Sequence, residues 1–194
     1  MNLARLRQIP SLVFSSSMVG EQLKISPSSA KVACHRYVKQ GILLRLKRDL
    51  YILADCWERL AEAELYTLAN RLQVPSYISL TAALSYYEIT TQVQQSVVES
   101  AAVVRTAQIE VRERVFKYIK LKKNLYTGFI KKNGFFIATP EKAFLDAVYL
   151  MSMNRYRLDL SAIDLSKLEA RSLFWQAKTF PMKTRQLLEK IWKR

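Results

Sequence analysis

The chain is 194 residues long, half of them apolar and 11% aromatic, which excludes a disordered segment and allows one large or two small domains, each with a core. Its 31 Lys and Arg against 16 Asp and Glu leave a net charge of +15, an excess that points to a polyanionic partner. Cys34 and Cys56 form no C-x-x-C pair, and both are expected as buried thiols in a reducing compartment.

From Asn2 to Ile9, the apolar residues Leu3, Leu6 and Ile9 recur at helical spacing and Pro10 ends the run, predicting a short first helix. Arg5 and Arg7 ahead of "IPSLVFSSSMVG" faintly mimic a secretory signal, but Pro10 and Ser15 to Ser17 break the apolar stretch. No segment approaches the ~20 apolar residues of a membrane span, so the protein is expected to be soluble and cytoplasmic. The serines then cap a second helix carrying Met18, Val19 and Leu23. A third helix starts sharply, with Ser26 as N-cap and Pro27 at the first helical position, where its missing N–H is no loss. It is predicted to run to Gln40, with Gly41 as the left-handed C-cap. After Gly41 the period changes, and "ILLRL" and "LYIL" read as a hairpin around "KRD".

Three helices followed by a hairpin make a winged helix-turn-helix. On the third helix Ala30, Ala33, Cys34, Tyr37 and Val38 form an inward stripe, leaving Ser28, Ser29, Lys31, Val32, His35, Arg36 and Lys39 on the opposite face. Lys24 to Arg48 holds seven Lys and Arg and no acid, and each phosphate that such a segment neutralises releases condensed counterions. Ser28 and Ser29 sit in the first turn, where free N–H groups and the helix dipole favour a phosphate. Lys31, Val32 and His35 are placed to reach base edges in a major groove, and Arg45, Lys47 and Arg48 to hold flanking backbone or minor groove. His35 is the single histidine, without partners for a metal site or a nucleophile to serve.

Trp57, Leu60, Leu65, Leu68 and Leu72 predict an amphipathic helix between Ala54 and Val74, which places a domain boundary near residue 56 and gives domains 1–56 and 57–194. In "PSYISLTAALSYYEI", Ser79 is expected to cap a short helix. Glu99 to Ile137 is β-like in "SAAVV", "QIEVRERVFKYIKL" and "GFFIA", with turns at "NLYTG" and "KKNG". Thr139 and Pro140 start a helix with Phe144, Leu145, Val148 and Tyr149 inward, and helices after Leu158 and Pro181 complete a mixed α+β domain. Beyond residue 60 there are 21 Lys and Arg against 12 acids, concentrated at Arg112 to Lys132 and at Lys178 to Arg194. Lys117, Lys120, Lys122, Lys123, Lys131 and Lys132 are the candidate partner surface. Their interleaving with Phe116, Tyr118 and Tyr126 fits either a half-buried strand or single-stranded nucleic acid.

No catalytic constellation stands out: a chain with four glycines has no phosphate loop, and neither G-x-S-x-G nor H-E-x-x-H occurs. Glu141 and Asp146, five apart on one helix, fall on different faces. The chain is read as a binding protein rather than an enzyme, with no cofactor and no metal.

The succession of the helix-turn-helix, "RLKRDLYIL", "PSYISLTAALSYYEI" and "ATPEKAFLDAVYL" resembles the AbiEi-type antitoxins of abortive-infection toxin–antitoxin systems over roughly residues 3 to 152. The P-S-Y-x-S-L and A-T-P-E-K-A-x-x-D signatures are its most specific parts. The resemblance implies a DNA-binding autorepressor of its own operon whose second domain counters a nucleotidyltransferase-like toxin, with direct contact to the toxin left open. Two departures stand out: Asp49 occupies a wing-turn position that usually carries glycine, and Tyr87 and Glu88 stand where a His-Gly pair is expected. The alternatives are a ligand-responsive winged-helix regulator and a basic RNA-binding protein.

Overall fold

The structure is a computed structural model describing residues 3–92 and 96–193. Asn2, assigned to the first helix, and Arg194, at the end of the basic C-terminal stretch, lie outside the described residues. The protein is mixed α+β, with one two-stranded and one six-stranded sheet among the described residues. No helix among them is long and apolar enough to cross a membrane. The chain divides into two compact units, 1–68 and 69–194.

The first unit begins with α1 (Leu3–Leu6), shorter than the run to Ile9 suggested, followed by α2 (Ser16–Leu23) and α3 (Pro27–Lys39). Ser15 caps α2 by accepting the Met18 N–H, and Ser26 caps α3 by accepting that of Ser29. Gly41, at φ 70°, ends α3 as a left-handed cap, with Ile42 N–H donating to the Tyr37 carbonyl at 2.9 Å. Gly20 lets α2 approach α3, since a Cβ there would sit 3.3 Å from Ala30 Cβ. Leu6, Ile9, Phe14, Val19, Leu23, Ala33, Cys34 and Tyr37 form the core with Leu43, Tyr51 and Leu53. The last three come from β1 (Leu43–Lys47) and β2 (Leu50–Leu53), an antiparallel pair that Phe14 extends by a two-way backbone bridge to Tyr51.

Burial pushes the Cys34 thiol up to about 11, so it is inert at neutral pH. Cys56, expected to be buried, is instead half-exposed. The single helix expected over 54–74 is two, α4 (Ala54–Trp57) and α5 (Glu62–Leu72). The expected boundary at residue 56 falls inside the first unit. One reason is that α4 is tied back to it by Ala54 N–H to the Ile42 carbonyl, 3.0 Å, and by the Arg7–Asp55 ion pair, 2.6 Å.

The second unit is built on a sheet of order β5-β6-β4-β3-β8-β7. Its strands are β3 (Ser76–Ile78), β4 (Val97–Ala102), β5 (Ala107–Val111), β6 (Arg114–Lys120), β7 (Phe129–Lys132) and β8 (Phe135–Ala138). β3 pairs parallel with β8 and antiparallel with β4, which in turn lies parallel to β6; the two edges are the hairpins β5–β6 and β7–β8. The long β-like run from Gln108 therefore folds as a hairpin that turns at Arg112, φ 51°. α6 (Leu80–Tyr86) and α7 (Pro140–Ser152) pack on each other, with α8 (Ala170–Ala177) and α9 (Met182–Trp192) against α7. Thr139 caps α7 by accepting the Lys142 N–H at 3.3 Å. Residues 142 to 150 are all buried, so α7 is the central helix of this unit.

Candidate nucleic-acid interface

The stripe predicted to face inward on α3 does so: Ala30, Ala33, Cys34 and Tyr37 are buried and Val38 is half-buried. The complementary face is open, with Ser28, Ser29, Lys31, Val32, His35, Arg36 and Lys39 all exposed. Val32 is 68% exposed, an apolar side chain left in water between cations. The helix start differs from expectation in one respect. The Ser29 N–H is already taken by Ser26 Oγ at 3.2 Å, and the Ser28 and Ser29 hydroxyls lie 3.0 and 2.9 Å from that same oxygen. The first turn thus offers a phosphate fewer free donors than the sequence suggested.

Arg45, Lys47 and Arg48 on the hairpin are exposed as well. A bulge between Arg45 and Lys47 resets the alternation, so that Leu46 is buried while the cations on either side face solvent. The turn after Arg48 needs a left-handed residue, and Asp49 supplies it at φ 54°, a conformation Asp tolerates better than most side chains. Its carboxylate accepts the Ser16 N–H at the start of α2, 3.0 Å away. The Ser16 hydroxyl first, and then that backbone bond, hold the Asp49 carboxyl below the usual carboxylate range, with smaller contributions from Lys31 and Arg45. Glu88, the other position where glycine is expected, also holds a left-handed backbone, at φ 56°. Both departures keep the conformation that glycine would provide.

The six lysines of the second unit do not form one surface. Lys117 and Lys120 lie on β6, with Lys122 and Lys123 at the turn that follows, whereas Lys131 and Lys132 lie on the edge strand β7. Four strand steps separate β6 from β7, roughly 19 Å at the usual spacing. Lys132 sits over the rings of Tyr86 and Tyr87, at 4.9 and 5.4 Å from their centroids, and Lys117 is half-buried. Lys120, Lys122 and Lys123 are exposed and adjacent in the chain.

The two signature stretches meet in the interior, an arrangement that reasoning from spacing did not assemble. Asp146 on α7, 0% exposed, pairs with Lys142 one turn before it and accepts hydrogen bonds from Tyr77 Oη and Ser79 Oγ, both at 2.8 Å. Lys142 Nζ also donates to Tyr77 Oη at 2.7 Å. Ser79 is thus no side-chain cap for α6, because its hydroxyl is committed to Asp146. Burial pushes the Lys142 ammonium down and the Tyr77 phenol well up. The signal in the sequence was a Lys and an Asp four apart on an otherwise apolar helix; a solvated pair of this kind belongs on a polar face.

A second polar cluster went unread in the sequence. Glu99 on β4, 4% exposed, accepts from Tyr156 Oη at 2.7 Å and from the Thr81 N–H at 3.2 Å. It borders a cavity of about 630 Å3 together with Lys117, Asn154, Arg155, Tyr156 and Arg157. Desolvation raises the Glu99 carboxyl, and the hydrogen bonds and Lys117 only partly offset it.

No family model and no curated protein matches the chain. Its fold is similar to that in the crystal structure of the RV2827C protein from Mycobacterium tuberculosis, with a TM-score of 0.67, 8% sequence identity, and coverage of 98% of this chain and 74% of that one. At that identity the likeness is one of fold.

Proposed function

We propose that residues 1–56 act as a winged helix-turn-helix that binds duplex DNA, with α3 in the major groove and the β1–β2 hairpin as the wing. On this reading the protein is a cytoplasmic antitoxin and repressor of its own operon, countering a nucleotidyltransferase-like toxin. The observation that carries it is that α3 packs against β1 of the hairpin while the outward side chains of both elements are exposed and predominantly basic. All ten side chains assigned to DNA are exposed, and seven cations between Lys24 and Arg48 face no acid in that segment. Lys31, Val32 and His35 read base edges; Arg45, Lys47 and Arg48 hold phosphate. The antitoxin assignment is supported by the two signature stretches, whose polar residues Tyr77, Ser79, Lys142 and Asp146 join in one buried network.

Footprinting on the upstream region of the protein's own operon tests the reading. Protection is expected, with affinity falling by about three orders of magnitude or more between ~50 and ~200 mM salt when six or more phosphates are contacted. Arg48→Ala should weaken all sequences alike, whereas Lys31→Ala or Val32→Ala should shift sequence preference, each base contact counting for ~1–3 kcal/mol. An unprotected operator region sinks the proposal.

A further inference from the structure

The cavity beside Glu99 has a composition that neither DNA binding nor solubility accounts for. Arg155 and Arg157 are exposed at its border, and among the described residues neither guanidinium is hydrogen-bonded to another side chain. Lys117 stands directly opposite Glu99 on the parallel neighbour strand. Three cations on one cavity are a site for a phosphate, and the arginines present the planar donor fork that phosphate oxygens match. An anion-only site would not retain a buried carboxylate, which repels the ligand and is itself hard to desolvate.

Glu99 is instead held in place mainly through one oxygen. The hydrogen bonds from Tyr156 Oη and the Thr81 N–H both go to Oε2, and with the Thr81 hydroxyl as a further donor nearby Oε1 is the less committed oxygen. Tyr156 is itself fixed by Thr81 Oγ1 at 2.7 Å, so the carboxylate is oriented by partners behind it. A fixed carboxylate with one less committed oxygen can accept from a hydroxyl or amino donor, and a buried acid accepting from a ribose hydroxyl is a recurrent solution in nucleotide sites. The cavity, about 630 Å3, lies within the range of pockets that take small molecules.

We propose that this cavity binds a free ribose phosphate of nucleotide size, its phosphate held by Arg155, Arg157 and Lys117 and a ribose hydroxyl donating to Oε1 of Glu99. The site lies wholly within the second unit, so the proposal stands or falls separately from the reading of α3.

Calorimetric titration of the full chain with AMP, ribose 5-phosphate, adenosine and inorganic phosphate tests it. AMP and ribose 5-phosphate are expected to bind with Kd below ~1 mM, and adenosine and inorganic phosphate at least ~10-fold more weakly, because each offers only half of the recognition. Arg155→Ala with Arg157→Ala, both at exposed positions, should weaken AMP by ~10-fold or more. Glu99→Gln should act in opposite directions, weakening ribose 5-phosphate through loss of a charge-assisted hydrogen bond while tightening inorganic phosphate through loss of a like charge. No heat from AMP or ribose 5-phosphate at ~5 mM overturns the proposal, since a weaker Kd lies outside the expected range. So does undiminished AMP affinity in the arginine variant, which would locate binding elsewhere on a chain of net charge +15. Equal tightening of every ligand by Glu99→Gln removes the hydroxyl contact and overturns it as well. If Glu99→Gln does not fold, the arginine variant decides.

Discussion

Asp146→Ala is expected to be among the most damaging single substitutions in the second unit. The carboxylate is fully buried and accepts from Lys142, Tyr77 and Ser79, so its removal leaves an ammonium in the interior without a counter-charge. Breaking a buried ion pair from one side costs about 3–5 kcal/mol. Lys142→Met with Asp146→Leu removes both charges and leaves only the Tyr77 and Ser79 hydroxyls short of an acceptor, at about 1–3 kcal/mol each, a cost that Asp146→Ala carries as well on top of its unpaired ammonium. The double variant should therefore be more stable than Asp146→Ala alone. Urea unfolding followed through Trp175 and Trp192, both in this unit, measures the two.

The deficit of Asp146→Ala should also depend on pH. Burial already lowers the Lys142 pKa, and loss of the Asp146 charge, which raises it, lowers it further. Between that folded value and the unfolded value of about 10.4 the unfolded chain binds more protons, so stability rises with pH over this window, and more steeply in the variant. The gap to the wild type should narrow from pH ~7 to pH ~10. A loss under ~1 kcal/mol, or a gap that does not change with pH, would refute a charged buried pair.

Asp49→Asn keeps a residue tolerant of the left-handed turn but removes the charge. Because the folded Asp49 pKa is depressed, its contribution is present above the unfolded value of about 3.9 and is lost as pH falls through the folded value; Asp49→Asn should flatten that part of the acid-unfolding curve, with a loss of about 0.5 kcal/mol at neutral pH after solvent screening. Gly128→Ala should destabilise the second unit by about 2–3 kcal/mol in the same urea assay, since φ is +73° and the new Cβ would sit 3.0 Å from Lys142 Cγ and 3.1 Å from Gln176 Oε1. On the proposed antitoxin reading, charge reversal at Lys120, Lys122 and Lys123 should abolish rescue from a co-expressed partner toxin in a growth assay at matched protein levels while leaving operator binding intact; Lys131 and Lys132, across the sheet, should be dispensable for rescue, and loss of operator binding with rescue retained would refute a separate role for these lysines.

What lies within a few residues of chain was legible from the sequence. Ser26, Pro27 and Gly41 bound α3 because capping and left-handed backbone are settled by neighbouring hydrogen bonds and sterics, and the inward stripe from Ala30 to Tyr37 follows from helical period alone. Thr139 and Pro140 announced α7 in the same way. The hairpin at Arg112 was missed because alternation continues on both sides of a turn that lacks glycine. Ser79 and Asp146 read locally as a cap and a helix charge, yet their bond joins segments 67 residues apart. The lysines between 117 and 132 are one run in the chain and two places in the fold, because β4, β3 and β8 are inserted between β6 and β7. Glu99 gains its meaning only when β6 brings Lys117 beside it and the end of α7 delivers Tyr156, Arg155 and Arg157. Composition, caps and period determine α2, α3 and α7, the hairpin after Gly41 and the basic face of α3. Strand order determines the buried network and the cavity, since side chains far apart in sequence meet only after non-local pairing has chosen their neighbours.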